Sequence, residues 1–449
     1  MKHKLSQIKK YLSKSPEAQK WRISPCPGGS WSSALVIPAL AESGSLLKTL
    51  ASLAANGPDM LGSTLVLCVI NNREPGISSG EEITDNKITI DYLKHLSQDT
   101  DASTPPSCPH PELLEKIKSI GMTIAYVDAS TPGNELPSKG GVGLARKIGM
   151  DLALATLDFD TAEDNLIICL DADTLVEDNY ISEIRRHFKS NDDDACVLDF
   201  SHILPEDKSD RLAAVSYELF LRYFEMGLRY ARSPYAYHTI GSTIVCRAGA
   251  YAAAGGMNRK QAGEDFYFLQ NLAKYGKVGR LNRTRVYPSM RISDRVPFGT
   301  GRKMGELAEC TDKSIPFYNP RIFRILREFI SLLNDPEMTG LEGADALEAC
   351  LRIDEALAEY LERKDFETAW NRIRQNSKND CYFRKNLHVW FDAFQTLKLA
   401  HHLRDSGYGT VDMTSAIAGL FSLAGMEYDA FNEESPEELL EFIRDAANK

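Results

Sequence analysis

The run Leu166-Ile167-Ile168-Cys169-Leu170 is apolar at every position and ends abruptly on Asp171-Ala172-Asp173. A short, continuous apolar run suits a strand buried on both faces. In extended backbone, residues two apart point to the same side. The strand would therefore finish on two carboxylates facing one way, which repel each other unless positive charge lies between them. A hard divalent cation meets that need, because Mg2+ takes one or two carboxylates and fills its other positions with phosphate oxygens and water. The pattern implies a ligand that carries a diphosphate. Taken alone, Asp-x-Asp also occurs in plain loops, and Glu177 and Asp178 would equally mark a solvated helix start. The surrounding sequence has to decide.

Strand signals at 34–38, 65–70, 122–127 and 166–170 alternate with helical periodicity at 42–55 and 143–157. Such alternation predicts an α/β fold, with a mostly parallel sheet flanked by helices. Residues 75–111, rich in Gly, Ser, Asp, Thr and Pro, read as a loop around one short helix near 88–96. A long helix is expected over 209–231, with later strands at 243–246 and 278–281. Beyond residue 304 only helical patterns occur, at 320–334, 341–364, 366–376, 384–405, 412–424 and 436–447. The expected organisation is a helical lead (1–32), an α/β domain (33–303, with halves 33–173 and 174–303) and an all-α C-terminal domain (304–449).

Charge and cysteine usage narrow the partners. A net charge of −11 over 449 residues argues against a nucleic-acid partner, which needs a basic footprint, and disfavours an anionic membrane surface. No run of about 18 apolar residues is present, and the basic start Met1-Lys2-His3-Lys4 leads into no apolar segment. Nine cysteines are scattered singly with no C-x-x-C pair, which suits a reducing compartment and argues against zinc. A cytoplasmic protein without integral membrane association is expected.

Four further segments carry chemistry. In Val36-Ile37-Pro38-Ala39-Leu40-Ala41-Glu42 a buried strand is followed within one turn by a carboxylate able to accept from a base edge or ribose hydroxyl. The alternative is a helix-start Glu favoured by the dipole. Lys139-Gly140-Gly141-Val142-Gly143-Leu144-Ala145-Arg146-Lys147 combines close-approach glycines, a helix N-terminus and two cations. It is not a dinucleotide fingerprint, since G-x-G-x-x-G is incomplete and no strand immediately precedes it. Gly255-Gly256-Met257 precedes Gly263-Glu264-Asp265, an acidic pair that opens a helix and reads either as a cap or as a general base. Lastly, Arg291, Arg295, Arg302 and Lys303 surround Gly299-Thr300-Gly301, which suits a clamp on a diphosphate or a solvated linker.

In this order the segments resemble the inverting family 2 glycosyltransferases of GT-A fold, over about residues 33–303. That resemblance implies a divalent cation (Mg2+ or Mn2+) and a nucleotide-sugar donor, such as a UDP- or GDP-sugar. It implies Pro38, Ala39 and Glu42 at base and ribose, Gly143 and Arg146 near the base, and Asp171 and Ala172 at the ribose and diphosphate. Asp173 and Asp171 would hold the metal. Arg295 and Arg302 would lie on a gating loop, and Asp265, with Glu264 beside it, would be the catalytic base. The family's base-contacting Asp after the second strand is replaced by Asn71 or Asn72, which leaves the preferred base open. The Q-x-x-R-W signature of processive synthases is absent, as is an obvious imidazole metal ligand. Gly241, Ser242, His238 and Gly256 are the candidates for an acceptor hydroxyl. The helical domain is expected to bind the acceptor, a partner or a second copy of the chain, the last giving a homo-oligomer. Two other classes compete: a nucleotidyltransferase, which lacks here the basic glycine-rich loop it would need after the first strand, and a non-catalytic nucleotide-sugar binder. A retaining transferase also remains open.

Overall fold

The computed structural model describes residues 2–74, 76–97, 108–160, 164–291, 302–303, 305, 315–426 and 435–446. It divides into two units, residues 1–205 with 239–306, and residues 206–238 with 307–447.

An eight-stranded sheet of order β3-β2-β1-β4-β7-β6-β8-β5 forms the centre of the first unit. Its strands are β1 Ser33–Ala39, β2 Thr64–Asn71, β3 Ile124–Ala129, β4 Leu166–Cys169, β5 Leu175–Val176, β6 Ala195–Phe200, β7 Ile244–Arg247 and β8 Val278–Tyr287. β1 pairs in parallel with β2 and with β4, and β2 with β3. β6 and β8 are also parallel, while β7 joins the two halves antiparallel to both β4 and β6. This is the mostly parallel sheet flanked by helices that the sequence implies. Every residue of β1, β2 and β4 is buried, which is why these segments read as unbroken apolar runs. Each fully buried Val, Leu or Ile contributes about 1.5–3 kcal/mol.

β6 escaped the sequence pattern because Asp192-Asp193-Asp194 leads into it and Asp199 interrupts it. Asp199 is buried within the sheet, its Oδ2 accepting from Arg285 Nε of β8 at 2.7 Å. β8 likewise runs past the expected 281 through four polar positions to Tyr287. The helix expected near 88–96 within the 75–111 segment is longer, Gly80–Leu96, and a further helix, Pro111–Ile120, begins at the segment's end. The first opens on a capping box in which Ser79 and Glu82 bond each other's backbone N–H.

The N-terminal lead is part of this unit. Asp151, on helix Val142–Thr156 and fully buried, accepts from Tyr11 Oη at 2.7 Å, Ser15 Oγ at 2.6 Å and Tyr251 Oη at 2.6 Å. Lys147 Nζ lies 3.0 Å from its other side. These bonds fasten helix Lys2–Leu12 to the α/β core.

The second unit is helical and larger than the expected 304–449, because it takes in helix Lys208–Tyr230. The apolar stripe of that helix packs on residues 317–323. Tyr223 meets Phe317 in a tilted contact at 5.3 Å and Phe323 edge-on at 5.5 Å, and donates to Tyr318 O at 2.6 Å. The C-terminal helix Pro436–Ala446 is tied to it by Arg444, whose Nε and Nη2 each lie 2.9 Å from the buried Glu218. The continuous patterns 341–364 and 384–405 are each two helices, broken at Asp354 and Asp392, which cap the second helix of each pair. Among the described residues, no helix is long and apolar enough to cross a membrane.

Candidate active site

The C-terminal ends of β1, β2 and β4 lie together, as expected where open α/β sheets bind ligands. β4 stops at Cys169 and the chain turns. Leu170 N donates to Val36 O at 3.1 Å, Thr174 N donates to Asp171 O at 3.1 Å, and Thr49 Oγ1 donates to Ala172 O at 2.9 Å. These bonds use the backbone of the turn and leave the side chains of Asp171 and Asp173 partly accessible, 33% and 22% exposed. The order of the segments has thus put two carboxylates at the mouth of the sheet.

Arg146 is the hub of the site. It sits on helix Val142–Thr156 with its side chain only 2% exposed, and three carboxylates converge on it. Nη1 donates to Glu264 Oε1 at 2.7 Å and to Asp265 Oδ1 at 2.5 Å, and Nη2 donates to Asp171 Oδ1 at 2.6 Å. Burial alone would depress the guanidinium's pKa, but Asp265, Asp171 and Glu264 hold it well above its ordinary value. Burial raises the Asp265 carboxyl well above the usual carboxylate range. Arg146 opposes that rise, while Glu264 and Asp171 add to it. Glu264 is raised in the same way. The two differ in access: the Glu264 side chain is 4% exposed, that of Asp265 18%. A Cβ on Gly241 would stand 2.5 Å from Arg146 Nη2 and 2.7 Å from Asp265 Oδ2, so only glycine lets this backbone pass against the pair.

A second cation bridges the opposite side. Arg291, just beyond β8, ion-pairs through Nη2 with Glu42 Oε1, and its Nε lies 3.1 Å from Asp173 Oδ2. Glu42 is aimed into the site by the preceding Ala41, which adopts φ +54 and whose N–H donates to Asn86 Oδ1 at 2.9 Å. Non-glycine residues at positive φ are uncommon, and such strain concentrates at ligand-binding positions. Burial pushes the Asp173 carboxyl up to about 7; Arg291 counters this, and Asp171 and Glu42 reinforce it. Asp173 is thus a carboxyl set between one cation, Arg291, and two further carboxylates, Asp171 and Glu42. Among the described residues no three His, Cys, Asp or Glu side chains form a metal-binding group. The donor set still fits a hard cation of the kind that needs only one or two carboxylates and keeps phosphate and water as its other ligands.

Other expected site residues serve different contacts. Pro38 and Ala39 are buried within β1, paired with Val69 and Ile70 of β2. Asn71 closes β2 and is buried. Its neighbour Asn72 is taken up by the scaffold, donating to Ser130 O at 2.8 Å and accepting from Asn86 at 2.7 Å. The helix start at Gly143, expected to face a nucleotide, is instead covered by the backbone of residues 258–260, against which only glycine fits. Arg146, expected beside the base, is enclosed by carboxylates and acts through them. Gly256, expected near the acceptor, makes room for the Tyr11 hydroxyl that docks the N-terminal helix. His238, another acceptor candidate, is a core residue of the helical unit, its Nδ1 3.0 Å from Glu225 Oε2. Ser242, beside Gly241, is fully buried. Arg302 is exposed, and Arg295 lies outside the described residues. The contact missed from sequence is that of Arg291, whose only signal was its place at the head of the basic cluster.

Residues 166–309 match the model of the Glycosyl transferase family group 2. Among solved structures, S. aureus TarS residues 1–349 in complex with UDP-GlcNAc is similar at 12% identity, with 89% of this chain and 94% of that chain covered and a TM-score of 0.37. Glucosyl-3-phosphoglycerate synthase from Mycobacterium tuberculosis, in complex with Mn2+, UDP and glucosyl-3-phosphoglycerate, is similar at 12% identity, with 57% and 71% covered and a TM-score of 0.31. A comparison with curated proteins finds no match. The residues matched by the Glycosyl transferase family group 2 model, 144 of the chain's 449, hold Asp171, Asp173, Gly241, Glu264, Asp265 and Arg291.

Proposed function

We propose that the chain transfers a sugar from a nucleotide-diphosphate sugar, a UDP- or GDP-sugar, to an acceptor hydroxyl in one inverting displacement that depends on a divalent cation. The observation that carries this reading is the convergence of Asp171 and Asp265 on one buried guanidinium, with Asp173 beside them at the sheet's mouth. That convergence supports a reading in which donor and proton acceptor share one site. Mg2+ or Mn2+ would be held by Asp173, with Asp171 adjacent, and would supply charge neutralisation for the leaving diphosphate.

Asp265 is the proton acceptor in this reading. It is the more accessible of the acidic pair, and Arg146 fixes its Oδ1, which leaves Oδ2 to receive the proton of the acceptor hydroxyl. Burial raises its pKa and so its strength as a base. Glu264 is enclosed and orients Arg146. Gly241 forms the wall against which the acceptor hydroxyl would lie. Asn71 is the residue at the donor's base that the family resemblance leaves in place of Asp.

Asp265→Asn is expected to reduce transfer by about 10²–10⁴-fold while nucleotide binding persists. The check is thermal stabilisation by a panel of UDP- and GDP-sugars, followed by product formation from whichever donor stabilises the protein. Loss of nucleotide binding in Asp265→Asn, or full activity in excess chelator, would remove the roles assigned here. The anomeric configuration of the product, read by NMR, tests inversion.

A further inference from the structure

We propose that Arg291 makes the cation site take its metal together with a diphosphate, as one unit, and resist the metal alone. This rests on the reading of Asp171 and Asp173 as the cation–diphosphate site. The guanidinium of Arg291 lies where that cation's charge is needed, between the carboxylates of Glu42 and Asp173. Three carboxylates, Glu42, Asp171 and Asp173, face this space. Asp171 is answered by Arg146, and the other two share Arg291.

A bare divalent ion seated on Asp173 would have to displace Arg291 and then stand beside it, one charge of +2 against another of +1. The attraction gained from Asp173 is partly cancelled by that repulsion and by the loss of the existing ion pairs. A metal diphosphate removes the conflict. It brings anionic oxygens along with the cation, and a guanidinium fork matches phosphate oxygens in two-point contacts. The displaced Arg291 then exchanges carboxylate partners for phosphate partners instead of being stranded. Arg291 can make such an exchange because its side chain is 37% exposed, whereas Arg146, at 2%, is enclosed.

The test is Mn2+ binding to the full chain, followed by electron paramagnetic resonance of the free ion, with and without UDP. Wild type, Arg291→Gln and Arg291→Lys are compared, and Asp173→Asn is combined with Arg291→Gln. In the absence of UDP, Arg291→Gln is expected to bind Mn2+ roughly fivefold tighter than wild type, which corresponds to the loss of one partly exposed competing ion pair. With UDP present the advantage should vanish or reverse. The gain should also disappear in the double variant, which has lost the carboxylate. Equal or weaker Mn2+ binding by a folded Arg291→Gln overturns the proposal. Should that variant fail to fold, Arg291→Met, which also removes the charge, decides: tighter binding than wild type supports the proposal and unchanged binding overturns it, while Arg291→Lys, which keeps the charge, should stay close to wild type. Failure of both wild type and Arg291→Gln to bind Mn2+, with or without UDP, removes the underlying reading and the proposal with it.

Discussion

Arg146 and Arg291 are both guanidiniums set among carboxylates in the same α/β unit, yet they are built for different tasks. Arg146 is enclosed, its Nη atoms fixed by three carboxylates from two parts of the chain, Asp171 and the Glu264–Asp265 pair. Arg291 is more than a third exposed and touches two carboxylates. A buried charge has no alternative partner once its own is removed, whereas a half-exposed one can turn to water or to a ligand. The difference in burial separates a cation that holds the catalytic carboxylates in place from one that can give way.

The widest gap between the two should appear on deletion. Arg146→Met leaves three clustered carboxylates without their cation and should cost about 3–5 kcal/mol of stability, with loss of transfer. Arg291→Gln should change stability by no more than about 1 kcal/mol. Urea unfolding of both variants measures this, and similar costs would erase the distinction.

Gly241→Ala presses a methyl against Arg146 and Asp265 and should cost about 1–3 kcal/mol through overpacking. Because the strain falls on the proton acceptor, the turnover number should drop more than donor affinity does. Steady-state kinetics with the donor varied would show this, and an effect on donor affinity alone would move Gly241 out of the acceptor side.

The smallest expected effect is on pH dependence. Asp265 and Glu264 are both raised in the folded protein, so the native state keeps protons that the unfolded chain releases. The stability they contribute is present at acid pH and is lost as pH rises through the folded pKa values. Transfer moves the other way, since Asp265 must be ionised. Glu264→Gln removes one neighbouring negative charge, so the acid limb of the pH–rate profile should shift to lower pH. An unchanged or oppositely shifted limb would show that Glu264 does not act on Asp265 through charge.

Much of the fold was legible because burial in a parallel sheet leaves an unmistakable mark: β1, β2 and β4 are apolar at nearly every position. β6 and the far half of β8 were not, since Asp199 and Arg285 satisfy each other across the sheet and sequence alone does not show that two polar residues will meet. The acidic motifs at 171–173 and 264–265 could be read from their places after a strand and at a helix start. What faces them could not. The glycines at 143 and 256 signalled close approach correctly, but the approaching groups are protein, the 258–260 backbone and the Tyr11 hydroxyl, and not a ligand. Helix 208–230, expected within the α/β domain, packs its apolar stripe on Phe317 and Phe323, and an apolar stripe has no address in the sequence until its partner folds against it. Arg291 read as one of four cations, and only the meeting of β8's end with Glu42 and Asp173 singled it out.

The most direct measurement is anomalous scattering from a crystal of the full chain grown with Mn2+ and UDP. The account predicts a manganese peak on the Asp173 carboxylate, with the nucleotide's diphosphate in contact with it and Asp265 facing the same cavity. A nucleotide seated elsewhere, or a metal held away from the 171–173 turn, would contradict it.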